Sequence, residues 1–140
     1  MLGQTVVVIG GSASIGLETA RHARTEGADI ILTARNPERL KEAAHDIGAV
    51  SSAAFDASDP DSLAGFFDAL PGAIDHVMVS GAGPRYGRPL EMDPQEIRRA
   101  FSERVVLVLA VARNRGGESE TWRIGGAHRR HRRPANHPRL

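Results

Sequence analysis

The sequence predicts an α/β protein built on a doubly wound parallel sheet. Segments of strand character alternate with segments of helical periodicity, in the order β-α-β-α-β-α-β-α, over residues 1–112. The first strand, residues 6–9, is an unbroken run of β-branched residues, which is typical of a strand buried on both faces. Right-handed crossovers then give the strand order 3-2-1-4, with a ligand crevice at the carboxyl ends of strands 1 and 4.

Apolar runs and helix-start signals locate the individual elements. The predicted strands cover residues 6–9, 29–33, 50–55 and 74–79. Three dipeptides join a capping side chain to a proline suited to the first helical position, and each predicts a helix start: Asn36-Pro37, Asp59-Pro60 and Asp93-Pro94. The first helix is predicted from Leu17, directly after a glycine-rich turn, and the last helix ends at about Ala112.

The composition is that of a soluble globular domain. The chain of 140 residues is 41% hydrophobic and 25% charged, and it can bury one core. It contains neither an apolar run long enough for a bilayer nor a signal peptide, so we expect a cytoplasmic protein without membrane association. It has no cysteine, which excludes disulfides and cysteine metal sites.

Charge divides the chain at about residue 112. Residues 1–112 carry a net charge of −5, whereas residues 113–140 contain eight Arg and two Glu and carry +6. We interpret residues 1–112 as the folded domain and residues 113–140 as a basic, Arg/His-rich tail.

The composition of this tail admits four interpretations. It could be a basic arm for nucleic acid or phosphate, a metal site at His128, His131 and His137, a disordered segment, or the product of a truncation or a shifted reading frame. No cysteine or carboxylate supports the three histidines, so no metal site is predicted. We favour the last two interpretations, because residues 118–124 are too polar for the buried fifth strand expected there.

The turn between strand 1 and helix 1 has the composition of a phosphate-binding loop. A glycine-rich turn between a strand and a helix directs backbone N–H groups and the positive helix end toward an anion. Gly10 permits a sharp turn, and Gly16 lets the helix close on the sheet. Ser14 would need a conformation that favours glycine, at a cost of about 1 kcal/mol. An ordinary strand-to-helix turn is the alternative interpretation of this segment alone.

Polar or small residues follow the other three strands. Arg35 follows strand 2, where no acid is present, and an arginine there favours the 2′-phosphate of NADP, although a solvated loop residue would look the same. Residues 56–59, Asp-Ala-Ser-Asp, follow strand 3, and residues 80–83, Ser-Gly-Ala-Gly, follow strand 4. Helix capping and simple turn formation are the alternative interpretations of these two segments.

Together these four segments resemble the N-terminal, cofactor-binding half of the short-chain dehydrogenase/reductase family, which has a Rossmann-like fold. The glycine turn is similar to the family's Gly-x-x-x-Gly-x-Gly motif, with Ser14 at the position of the middle glycine. Residues 56–59 are similar to the family's Asp-x-Thr/Ser-Asp motif. Residues 80–83 are similar to its Asn-Asn-Ala-Gly motif, of which only Ala-Gly is present here. The resemblance implies an NADP(H)-dependent oxidoreductase. The cofactor-binding residues that it implies are Gly10, Ser12, Ser14, Ile15, Gly16, Arg35, Asp56, Ala57, Ser80 and Ala82.

The catalytic residues of that family have no counterpart in this sequence. The family uses a Tyr as general acid, a Lys four residues later that lowers its pKa, a preceding Ser and a helix Asn. The only Tyr here is Tyr86, and Leu90 stands four residues later; the only lysine is Lys41, and the Asn position falls on Arg104. We therefore predict a catalytically incompetent fragment, truncated or frameshifted after about residue 112, with no catalytic residue of its own.

Two other functional classes remain as alternatives at this point. One is a non-catalytic dinucleotide-binding or sensor module, and the other, ranked last, is a nucleic-acid-binding protein that uses its basic tail. A small-molecule substrate is expected only if an active site exists. Because strand 4 or its neighbour would be an open sheet edge, we also predict marginal stability or self-association.

Overall fold

A four-stranded parallel sheet in the order β3-β2-β1-β4 forms the centre of the fold. The computed structural model describes residues 1–80 and 92–115. The fold class and the strand order predicted from the sequence are both confirmed. The elements are β1 Thr5–Ile9, α1 Ser14–Thr25, β2 Asp29–Ala34, α2 Pro37–Ile47, β3 Ser51–Ala54, α3 Pro60–Asp68, β4 His76–Val79 and α4 Pro94–Arg115.

Two apolar layers cover the two faces of the sheet, because successive side chains of a strand point to opposite faces. Val6 and Val8 of β1 belong to the layer formed with α1 and α2. Val7 and Ile9 belong to the opposite layer, formed with α3 and α4. Val7 and Val8 are both 0% exposed, so β1 is buried on both faces, as its β-branched composition predicts.

The helices α2 and α3 begin with the predicted side-chain caps. The side chain of Asn36 accepts a hydrogen bond from the Arg39 N–H at 2.9 Å, and that of Asp59 accepts from the Ser62 N–H at 3.1 Å. A proline occupies the first turn of each helix. These caps satisfy first-turn N–H groups of both helices, which begin directly after β2 and a few residues after β3.

The ends of several elements differ from the predicted ones by a few residues. The helix α1 starts at Ser14 rather than Leu17, so the last part of the glycine turn is already helical. The strand β3 omits Val50, whose side chain is 56% exposed. The helix α4 continues past Ala112 to Arg115. No helix within residues 1–80 and 92–115 combines the length and the apolar character that a membrane span needs.

Candidate functional site: the carboxyl edge of the sheet

The glycine turn joins the carboxyl ends of three strands. The backbone N–H groups of Gly10 and Gly11 both donate to the carbonyl oxygen of Thr33 at the end of β2, at 2.8 and 3.0 Å. On the other side, the Ser80 N–H donates to the carbonyl oxygen of Ile9 at 2.7 Å. The turn is thereby fixed between β2 and β4 at the predicted crevice.

The start of α1 lies so close to the turn that a side chain would not fit between them. A Cβ atom added at Gly16 would stand 2.4 Å from the carbonyl oxygen of Gly10 and 3.0 Å from the Cβ of Ser80. Gly10 has a φ of +85°, which favours glycine. Ser14 has a φ of +49° and is the only non-glycine residue with a positive φ among those that the structure describes. The sequence-based expectation for the conformation of Ser14 is therefore confirmed.

The N-terminus of α1 has no side-chain cap. Ala13 occupies the cap position in an extended conformation, and within the described residues the structure records no capping side chain and no acid in the first turn. The first backbone N–H groups of a helix have no partner inside the helix and carry partial positive charge. Ser14 and Ile15 at this end are exposed, with Ile15 at 72%. This arrangement can accept an anion.

Two charged side chains, Arg35 and Asp56, follow the neighbouring strands β2 and β3. Asp56 accepts hydrogen bonds from the Ser58 N–H at 3.0 Å and from the Ser58 hydroxyl at 2.7 Å. These bonds hold the pKa of Asp56 below its usual range, and the positive charge of Arg35 lowers it further. The carboxylate is therefore ionised, and Arg35, exposed directly after β2, is close enough to act on it electrostatically.

Comparisons with known proteins identify the family. A family model described as short chain dehydrogenase matches residues 4–114. This chain belongs to the short-chain dehydrogenase family. A probable oxidoreductase of Streptomyces antibioticus is 36% identical over 89 residues, which are 59% of this chain and 30% of that protein.

Solved structures of short-chain dehydrogenases show the same architecture. A metagenomic short-chain oxidoreductase in complex with NADP is 30% identical, with a TM-score of 0.65 over 81% of this chain and 55% of that one. The L-sorbose reductase of Gluconobacter frateurii, complexed with NADPH and L-sorbose, is 25% identical, with a TM-score of 0.70 over 81% and 46%. The chain thus spans about half the length of these two structures, and 30% of the Streptomyces protein.

The residues at the turn fit the phosphates of a nicotinamide dinucleotide. The uncapped start of α1 supplies N–H donors and partial positive charge. Because residue 16 is glycine, α1 lies close to the turn, and no side chain at that position covers these donors. Ser12 and Ala57 are half-buried near the strand ends, and Ala57 packs against the layer formed with α3 and α4. Ala82 lies outside the described residues.

The described residues of this chain bring no catalytic pair together. Lys41 is exposed on α2, which covers one face of the sheet, whereas Arg104 is exposed on α4, which covers the other. Tyr86 and Leu90 lie outside the described residues, as do the tail histidines. Over residues 1–80 and 92–115 no three side chains of His, Asp or Glu gather in a group suited to a metal ion. The family assignment gives no support to a nucleic-acid-binding protein or a sensor module.

Sequence reasoning missed two residues that shape the turn. A Cβ atom at Gly11 would stand 2.6 Å from the Leu32 side chain and 3.2 Å from the carbonyl oxygen of Val8. Thr33, only 1% exposed, supplies the carbonyl oxygen that receives both turn N–H groups. The doubled glycine at positions 10 and 11, and the lone polar residue near the end of an apolar strand, were the available signals.

Proposed function

We propose that this chain binds NADP(H) at the β1–α1 turn and that its described residues do not form a competent dehydrogenase active site. The uncapped start of α1, held against Gly10 and Ser80, is the observation that carries the proposal. Leaving a helix N-terminus without a capping side chain costs about 1 kcal/mol. An anionic ligand at that position would recover this stabilisation, because it can accept from the same N–H groups.

The other strand-end residues have chemistry suited to the remaining parts of the cofactor. Arg35 would attract the 2′-phosphate that distinguishes NADP(H) from NAD(H), since no acid accompanies it at the end of β2. The ionised Asp56 would accept a hydrogen bond from the adenine amino group. The L-sorbose reductase and the metagenomic oxidoreductase, which share this fold, were solved with NADPH and NADP. When bound, the nicotinamide ring would supply or accept a hydride.

Proton transfer is the step for which this chain lacks a suitable group. Hydride transfer to a carbonyl carbon leaves an alkoxide oxygen that must receive a proton, and a positioned general acid contributes about 10²–10⁴ in rate. Tyr86 has Leu90 in place of the lysine that would acidify it. At position 104 an arginine stands where the family has Asn, and a guanidinium does not give up its proton near neutral pH.

Two measurements on the full chain test the proposal. Fluorescence titration should show binding of NADPH that is tighter than binding of NADH. Absorbance assays with NADPH and a panel of ketones and aldehydes should show no turnover. Equal affinities for the two cofactors would contradict the role of Arg35. Turnover that survives purification and is lost in Tyr86→Phe would contradict catalytic incompetence and make Tyr86 an unorthodox acid.

A further inference from the structure

The β3–α3 connection, residues 55–59, carries Asp56 between two neighbours that are anchored in the core. Phe55 and Ala57 both pack into the apolar layer formed with α3 and α4, whereas Asp56, which stands between them, is exposed. The Phe55 N–H donates to the carbonyl oxygen of Ala34 at 3.1 Å, so the connection leaves the sheet in continuation of the pairing between β2 and β3. The carboxylate of Asp56 is thereby kept at the surface, at the carboxyl edge of the sheet.

Local hydrogen bonds fix the shape of this connection. Both bonds from Ser58 reach the same oxygen of the Asp56 carboxylate, Oδ1. The Asp59 N–H donates to the carbonyl oxygen of Asp56 at 3.0 Å. Because an ionised carboxylate has about four acceptor sites, Asp56 keeps acceptor capacity for a ligand. All these bonds join residues within 56–59, so they do not determine how the connection lies against the rest of the domain.

A contact between aromatic rings joins the connection to α3. The ring centroids of Phe55 and Phe66 are 5.1 Å apart and the rings are tilted by 32°, which is within the range of favourable aromatic pairs. Phe66 is buried in α3, and its ring also contacts that of Phe67 at 5.3 Å. Within residues 1–80 and 92–115, Phe67 makes no ring contact with Phe55. Of these two neighbouring residues of α3, only Phe66 therefore contacts the ring that precedes Asp56.

We propose that Phe66 is a positioning residue that holds Asp56, through Phe55, where its carboxylate selects the adenine base. This inference rests on the proposed binding of NADP(H), in which Asp56 accepts a hydrogen bond from the adenine amino group. A hydrogen bond requires donor and acceptor atoms to lie about 3 Å apart, so a small displacement of Phe55 would remove this bond without unfolding the domain. Phe66 would thus contribute to base selectivity although it lies in the apolar layer.

Titrations with two cofactors measure this selectivity. The hypoxanthine analogue of NADPH keeps every phosphate but carries an oxygen, which cannot donate, in place of the adenine amino group. The full parent chain should bind NADPH about tenfold more tightly than the analogue, the range of a hydrogen bond to a charged group. Asp56→Ala should abolish this preference. Phe66→Leu should bring the ratio of the two affinities close to that of Asp56→Ala, by weakening NADPH binding while binding of the analogue changes little.

Phe67→Leu is the matched control. It removes the same atoms from the next residue of α3, which is equally buried, and it leaves the rings of Phe55 and Phe66 in contact. Phe67→Leu should lower the melting temperature as Phe66→Leu does but keep the parent's affinity ratio. Phe55 is only half-buried, so Phe55→Leu disturbs the core less and should reproduce the loss of selectivity. Phe55→Tyr, which keeps the ring, should retain the selectivity.

The outcomes separate this inference from the proposed function. An unchanged affinity ratio in Phe66→Leu and Phe55→Leu, or an equal loss in Phe67→Leu, would overturn the positioning role of Phe66. NADPH binding by the parent without any preference over the analogue would overturn the inference and leave the phosphate site standing. A parent chain that binds neither cofactor would contradict the proposed function itself.

Discussion

The start of α1 and the starts of α2 and α3 lie at the same edge of the sheet but are built differently. Asn36 and Asp59 close the N-termini of α2 and α3 with side-chain hydrogen bonds, and Glu38 and Asp61 add negative charge in their first turns. The start of α1 has Ala13 and no acid in its first turn. The caps stabilise their helices but occupy the positive helix ends, whereas the α1 end keeps its N–H groups available for a ligand.

Substitution of Gly16 should have the largest effect on the uncapped N-terminus of α1. Gly16→Ala would place its Cβ 2.4 Å from the carbonyl oxygen of Gly10, so α1 must move away from the turn. We expect a loss of about 1–3 kcal/mol in the free energy of unfolding, together with weaker NADPH binding. Urea unfolding and a fluorescence titration measure the two effects.

Gly65→Ala is the matched control for this substitution. Gly65 lies in α3, and a Cβ atom there would meet nothing within 4 Å. The change should raise stability by about 0.5–1 kcal/mol, because alanine loses less backbone freedom in a helix, and it should leave NADPH binding unaltered. A Gly16→Ala chain as stable as Gly65→Ala would show that α1 does not depend on the close approach.

Substitution of Arg35 tests whether the site at the start of α1 prefers NADPH to NADH. Arg35→Asp should weaken NADPH binding by about 10- to 100-fold, the range of a charge-assisted hydrogen bond, and should change NADH binding little. Its melting temperature should stay near that of the parent, because the side chain is exposed. Arg98→Asp makes the same charge change on α4, which covers the face of the sheet opposite to α1. If both variants bind NADPH equally well, Arg35 does not contact the 2′-phosphate.

The capped helix end predicts a pH dependence of stability. Hydrogen bonds from the Ser62 side chain and backbone N–H hold the pKa of Asp59 below its usual range. A carboxyl group whose pKa is lowered on folding stabilises the fold above its unfolded pKa of about 3.9, and this contribution is lost as the pH falls through its folded pKa.

Asp59→Asn isolates this effect, because Asn still caps a helix but does not titrate in this range. Thermal melts at acidic pH should show a smaller decline in melting temperature for Asp59→Asn than for the parent. Asp68→Asn removes a carboxylate near the end of α3 and should decline like the parent. An unchanged decline in Asp59→Asn would contradict the assigned role of the cap.

Local sequence patterns predicted the architecture because they report interactions between near neighbours. The Asn-Pro and Asp-Pro starts and the β-branched strand each specify their structure within a few residues. The start of α1 precedes the predicted one, because Ser14 and Gly16 have low helix propensity, whereas in the structure Gly16 lies directly against Gly10 and Ser80. Tertiary packing, which a short window does not contain, decided that boundary.

The contacts that shape the site join residues distant in sequence and were therefore harder to predict. Thr33 receives hydrogen bonds from Gly10 and Gly11 only because β1 and β2 are neighbours. The electrostatic effect of Arg35 on Asp56 likewise follows from the pairing of β2 with β3. The strand order brings Thr33 near the glycine turn and Arg35 near Asp56. The distances within these two pairs depend on the register of the strands.

Capping the open helix tests the central claim most directly. In Ala13→Asp the new carboxylate can accept from the first turn of α1, as Asp59 does in α3, and should raise stability by about 1 kcal/mol. The same carboxylate would repel a bound phosphate, so calorimetric titration should show NADPH affinity at least about tenfold lower than in the parent. Ala13→Ser, which adds a neutral cap, should lower the NADPH affinity less than Ala13→Asp does. Undiminished NADPH binding by Ala13→Asp would contradict the assignment of the α1 N-terminus as the phosphate site.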